Sequence, residues 1–217
     1  MTYYNKNNEE FDLSGFQYYS SGVCANVYTD NEIAFKIYNH DCKYRLYLSR
    51  KIFTILKNIK TVGLVELIDY YHEYESHFLP MDAYSMKFVK GKDVDILHAD
   101  KKYLCDCIDQ LDETIKKLSE NKIVMFDTHA DNILFKENGP TIIDPDQFYQ
   151  SKLLSKREIY ERNKMHILEY FVSTIMDSMK SNTESYVIIN PYHRRLSLKK
   201  CLMDCVKEDT IYDSIVL

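Results

Sequence analysis

The stretch from Ile123 to Phe148, IVMFDTHADNILFKENGPTIIDPDQF, constrains this chain more than any other. Two short apolar runs, Ile133-Leu-Phe135 and Thr141-Ile-Ile143, flank Lys136-Glu-Asn-Gly-Pro140, a pattern that predicts a β-hairpin with a Gly-Pro turn. Asp127 and Asn132 precede the first run and Asp144 closes the second, so a tight hairpin would converge two carboxylates and an amide on one spot. Hard oxygen donors of that kind suit Mg²⁺, which takes a few protein ligands together with phosphate oxygens. The plainer alternative is an acidic surface hairpin whose Asp and Asn side chains cap turns.

The rest of the composition is that of a folded chain. Its 217 residues are enough for one domain or two small lobes, and 45% hydrophobic with 13% aromatic residues supplies a core. Five Gly and four Pro are scattered and form no linker. No apolar run approaches the roughly 20 residues of a membrane span, and the first ten residues lack the apolar segment of a signal peptide, so the expectation is a soluble cytoplasmic protein. The cysteines at 24, 42, 105, 107, 201 and 205 fit neither zinc-ribbon nor redox spacing and read as small buried thiols in a reducing compartment. A net charge of −5 without a long basic run makes nucleic acid a poor general partner.

Taken in order, residues 15–19, 25–28 and 33–38 read as strands, the last two joined by Thr29-Asp-Asn-Glu32. Between the first pair lies Ser20-Ser-Gly22-Val-Cys-Ala25, a run of small residues that let backbone N–H groups approach phosphates, or else a plain β-turn. Lys36 sits in the middle of an apolar strand, where an ammonium is costly to bury without a partner. Residues 41–59 read as a helix, 63–71 and 77–81 as strands, and 85–94 as a strand ending in a Gly91 turn. Residues 99–121 form a strongly amphipathic helix with Leu104, Cys107, Ile108, Leu111, Ile115 and Leu118 on one stripe. Helical periodicity resumes at Lys156, and a last helical piece is expected over 195–206.

Asp127-x-x-x-x-Asn132, a hairpin, then Asp144 after two isoleucines resembles the catalytic core of the protein-kinase-like superfamily. Ala34-Phe-Lys36-Ile resembles its lysine strand, the small-residue loop its Gly-rich loop with only the middle glycine kept, and Ser85-Met-Lys-Phe-Val-Lys-Gly91 its hinge. The resemblance covers residues 16–148 in unbroken family order. Asp127-Thr-His129-Ala-Asp-Asn132 and Ile-Asp144-Pro-Asp146 look more like aminoglycoside and choline phosphotransferases, or compact atypical bacterial and viral kinases, than eukaryotic protein kinases.

That resemblance implies an α+β, bilobal protein-kinase-like fold, with a five-stranded antiparallel N-lobe sheet and one helix over 1–89 and a small, mainly helical C-lobe over 90–217. It implies ATP and Mg²⁺ as cofactors. Asp127 is then the base that accepts the acceptor hydroxyl's proton, Lys36 the nucleotide anchor, and Asn132 and Asp144 the metal ligands. Ser20, Gly22 and Ala25 cover the phosphates, Met86 is the gatekeeper, Lys87 to Val89 face the adenine, and Asp93 meets the ribose. His129 is read as a brace of the loop.

The chain departs from the family at three places: residues 42–59 contain no acid to pair with Lys36, with Ile52 in the expected position; the Gly-rich loop is depleted; and no Ala-Pro-Glu motif follows Asp144. Either Asp41 substitutes after an offset, or Lys36 is expected beside Asp144 or another acid from outside the helix. The implied function is transfer of the γ-phosphoryl group of ATP to a hydroxyl of a protein Ser/Thr or a small molecule. The alternative is a pseudokinase, a nucleotide-responsive binding module.

Overall fold

The computed structural model describes residues 2–5, 7–39, 48–73, 82–95, 99–126 and 132–178, without the side chains of Glu73, Lys101 and residues 169–178. The fold is mixed α and β, built on one large antiparallel sheet. The chain forms two compact units. One comprises Met1–Lys60, Val65–Lys90 and Pro145–Phe148, the other Thr61–Leu64, Gly91–Asp144 and Tyr149–Leu217.

The first unit carries a seven-stranded sheet in the order β2-β1-β6-β7-β5-β4-β3. Its strands are β1 (Tyr3–Asn5), β2 (Glu10–Phe11), β3 (Gln17–Ser21), β4 (Ala25–Thr29), β5 (Ile33–Tyr38), β6 (Leu67–Glu73) and β7 (Ala83–Lys87). The five strands expected for the sheet become seven because the N-terminal residues join it. β1 pairs antiparallel with β6, Tyr3 opposite Glu73, and β2 pairs with β1. Aromatic packing accounts for this: Phe11 stacks on Phe35 with ring centroids 4.0 Å apart, and Tyr3 meets the same ring edge-on at 5.6 Å. Phe35, Tyr3, Tyr71 and Ala83 form a buried cluster, with Leu13, Phe16 and Ile37 against it.

The helix expected over 41–59 is seen as α1 (Arg50–Asn58). Ser49 caps it, its side chain accepting from the Ile52 N–H, so Leu48 and Ser49 precede the helix. Residues 40–47 lie outside the described residues, as does the strand expected over 77–81. Ile52, Phe53 and Leu56 are buried, and Phe53 packs edge-on against Tyr70 and Tyr84 of the sheet.

The second unit contains α2 (Lys101–Glu120), β8 (Ile123–Val124), β9 (Ile133–Lys136), β10 (Gly139–Ile142), β11 (Tyr149–Gln150) and α3 (Lys156–Ser178). Asp100 caps α2 by accepting the Tyr103 N–H at 2.8 Å, and the stripe Cys107, Ile108, Leu111, Ile115 and Leu118 is buried as its periodicity requires. β9 and β10 form the expected hairpin, but Glu137-Asn138 makes the turn and Gly139-Pro140 belongs to the second strand. Gly139 has φ +115°, so it supplies the positive φ that follows a two-residue turn, a conformation strained for any other residue. The strand expected from Gly63 starts at Leu67 instead. Gly63 and Leu64 belong to the second unit, where the Gly63 carbonyl accepts the Ile142 N–H at 3.0 Å and a Cβ on Gly63 would meet Thr114 Oγ1 at 2.5 Å.

Among the described residues no helix is long and apolar enough to cross a membrane. Cys105 and Cys107 are thiols outside any disulfide, Cys107 buried. Cys24 corrects the reading of all six cysteines as thiols, for it is disulfide-bonded. It lies half-exposed between β3 and β4, at a hairpin tip and not in the core, and its carbonyl accepts the Asn39 N–H where the chain leaves β5. The helix expected over 195–206 lies outside the described residues.

Two outcomes follow from this packing. Phe11→Ala should lower unfolding stability by about 2 kcal/mol, the scale of one buried aromatic with its ring contacts, in a denaturant titration; no loss would detach β2 from the core. Burial pushes the Cys107 thiol up to about 11, so little thiolate is present at pH 8. Mass spectrometry of natively alkylated protein at that pH should find Cys107 modified far more slowly than Cys105, the gap closing in denaturant.

Candidate functional site

Alternation along β5 puts Ala34, Lys36 and Tyr38 on the face opposite Phe35. Lys36 lies opposite Val27 of β4 on one side and Tyr84 of β7 on the other, so its side chain starts from the interior of the sheet and is only 7% exposed. An ammonium there needs an anion. Asp146 supplies it, with Lys36 Nζ 2.8 Å from Oδ2 and both side chains about a tenth exposed. The other carboxylate oxygen is also engaged: the Tyr38 hydroxyl donates to Asp146 Oδ1 at 2.8 Å and the Tyr84 hydroxyl donates to the same atom at 3.1 Å. Tyr38 in turn accepts the Leu48 N–H at 3.0 Å. Lys36 Nζ also stands 5.9 Å from the centroid of the Tyr84 ring.

Asp146 reaches this position from a turn. The Phe148 N–H donates to the Pro145 carbonyl at 2.9 Å, closing residues 145–148 on themselves, and Pro145 and Phe148 are both buried. Asp146, two residues beyond Asp144, is thus an acid from outside the helix that meets Lys36. No sequence motif assigns a role to Asp146, Tyr38 or Tyr84. The one available signal was the repeated acid of Asp144-Pro-Asp146.

The loop residues fall at the tip of the β3–β4 hairpin. Ser20 is exposed in β3, Ala25 is buried at the start of β4, and the Gly22 N–H donates to the Ala25 carbonyl at 2.8 Å. Gly22 has no positive φ, and a Cβ there would meet nothing closer than 3.9 Å, so this turn does not require glycine. In β7, Met86 is buried between Ala34 of β5 and Leu67 of β6, while Lys87 is exposed and its N–H donates to the Glu66 carbonyl at 2.8 Å. Val89, just beyond the strand, is half-buried.

In the second unit the hairpin determines the placement of Asn132 and Asp144. The Ile143 N–H donates to the Asn132 carbonyl at 2.9 Å, extending the ladder one step past Ile133 and Ile142, so both residues stand at the hairpin's open end. Both are half-buried. Their amide and carboxylate oxygens are hard donors of the kind Mg²⁺ takes. Asp127 and His129 lie outside the described residues. The strand leading toward them is firmly held: Asn163 of α3, fully buried, accepts the Met125 N–H at 2.8 Å and donates to the Ile123 carbonyl at 3.0 Å. Asp93 is exposed and ion-paired with Lys136 Nζ at 2.6 Å.

No protein-family model matches this chain, and no curated protein is significantly similar to it in sequence.

Removing one partner of a buried ion pair leaves an uncompensated charge, which costs about 3–5 kcal/mol, whereas replacing both with apolar groups is often neutral. Asp146→Ala should therefore destabilise the protein by that amount in chemical denaturation, while Lys36→Met with Asp146→Leu should cost less than Asp146→Ala alone. Additive losses in the double variant would contradict a desolvated pair.

Proposed function

We propose that this protein is an ATP-dependent phosphotransferase of protein-kinase-like, bilobal architecture, moving the γ-phosphoryl group to a hydroxyl acceptor. The observation that carries the proposal is Lys36: an ammonium in the interior of a sheet, held by a carboxylate on a sheet face rather than left at the surface. An ammonium has three donors and can hold a carboxylate and a phosphate oxygen together. Lys36 binds the nucleotide phosphates, and Asn132 and Asp144 hold Mg²⁺. Mg²⁺ held there would neutralise charge that develops during transfer. Asp127 orients the acceptor hydroxyl and takes its proton. Ser20, Gly22 and Ala25 lie along the phosphates, Met86 to Val89 along the base, and Asp93, once released from Lys136, at the ribose.

A second reading, a nucleotide-responsive binding module without transfer, is favoured by the loop tip, whose glycine adopts no conformation that other residues cannot.

The two readings part on turnover. Mg·ATP should raise the melting temperature of the wild type, since a ligand present at 100 times its Kd stabilises the folded state by about 2.7 kcal/mol. Lys36→Ala and Asp144→Ala should lose most of that shift relative to their own unliganded midpoints. Asp127→Asn should keep it while losing on the order of 10²-fold or more of phosphoryl transfer, the contribution of a positioned base. Transfer is followed with γ-labelled ATP and a cell extract fractionated into macromolecules and small molecules, which also identifies the acceptor class. Wild type that binds ATP yet transfers no more label than Asp127→Asn would establish the second reading.

A further inference from the structure

The anchor lysine of such a site must be held in a fixed direction, and here α1 offers no acid: its first turn has none, and Ile52 is buried. We infer that Asp146 is a positioning residue that aims the Lys36 ammonium at the nucleotide phosphates, and that the hydroxyls of Tyr38 and Tyr84 fix Asp146 for that task. The inference rests on the phosphotransferase reading and assigns a role to residues which that reading leaves unused.

Each atom of the cluster has a defined part. Asp146 Oδ2 faces Lys36 Nζ, while Oδ1 accepts from both tyrosines. A carboxylate so engaged is committed to the lysine in orientation, whereas the acid two residues earlier, Asp144, stands with Asn132 at the end of the hairpin. The donors are oriented as well. Because Tyr38 Oη accepts the Leu48 N–H, its own proton is directed at Asp146. Tyr84 is fully buried in β7 directly opposite Lys36, so its ring and hydroxyl are fixed by the same strand pairing that places the lysine. The turn closed by Phe148 and Pro145 holds the Asp146 backbone. Lys36 is thus held from its own sheet and from the segment following Asp144.

A double-mutant cycle on the full-length chain tests this, with affinity for Mg²⁺ and a non-hydrolysable ATP analogue read by calorimetry. Asp146→Asn should weaken binding about 10-fold, a coupling within the range of residues in direct contact. The same change made in a Lys36→Met background should cause no further loss, because a residue that acts through the lysine has nothing to act on once it is gone. Tyr38→Phe and Tyr84→Phe keep both charges and carry the test should Asp146→Asn fail to fold; combined, they should weaken binding several-fold with Lys36 present and leave it unchanged in the Lys36→Met background. The magnesium concentration for half-saturation at fixed analogue should be the same in wild type and Asp146→Asn, and should rise in Asp144→Asn. Equal losses in both lysine backgrounds, or a raised magnesium requirement in Asp146→Asn, would overturn the assignment and make Asp146 act on its own. If the tyrosine variants bind as wild type does, the tyrosine part falls. Wild type that binds no analogue would remove the phosphotransferase reading together with this role, whereas wild type that binds with additive losses removes this role alone.

Discussion

The ion pair between Lys36 and Asp146 is the interaction from which the rest of the first unit takes its meaning. In the interior of a sheet an ammonium and a carboxylate lose most of their hydration, and their mutual attraction offsets that only when the remaining hydrogen-bonding capacity is also met. Here it is met by two tyrosine hydroxyls on one carboxylate oxygen, at 2.8 and 3.1 Å. Such a pair is a poor device for stability, since apolar residues of similar size often do as well. Its place in the sheet interior is the observation on which the phosphotransferase proposal rests.

The connectivity gives the pair a second significance. Residues 145–148 belong to the first unit, while the chain on either side of them belongs to the second. Asp144 and Asp146, separated only by a proline, therefore serve different units: one carboxylate ends the hairpin that carries Asn132, the other closes on Lys36. Positioning is what phosphoryl transfer chiefly requires, because the protein supplies geometry and charge and little covalent chemistry.

Much of this was legible in the sequence where local pattern decides structure. β4 and β5 were found from their apolar runs, α2 from its stripe ending in Leu118, and the start of α3 at Lys156 from returning periodicity. What the sequence does not show depends on contacts between residues far apart. β1 and β2 are too short to show alternation and owe their place to Tyr3 and Phe11 packing on Phe35. Glu137-Asn138 displaced Gly-Pro as the hairpin turn because Gly139 at positive φ serves after the turn and not within it. Asp146 could not be assigned to Lys36, since that pairing closes over more than a hundred residues and relies on Tyr38 and Tyr84, whose hydroxyls look like ordinary strand decoration in one dimension. The need for an acid outside the helix was readable; its identity was not.

The most direct measurement is a crystal structure with Mg²⁺ and a non-hydrolysable ATP analogue. The account predicts Lys36 Nζ within about 3 Å, hydrogen-bonding distance, of a phosphate oxygen while Asp146 still holds the ammonium, and the metal on Asn132 and Asp144. A nucleotide bound away from Lys36, or a metal ligated by Asp146 with the lysine released, would contradict it.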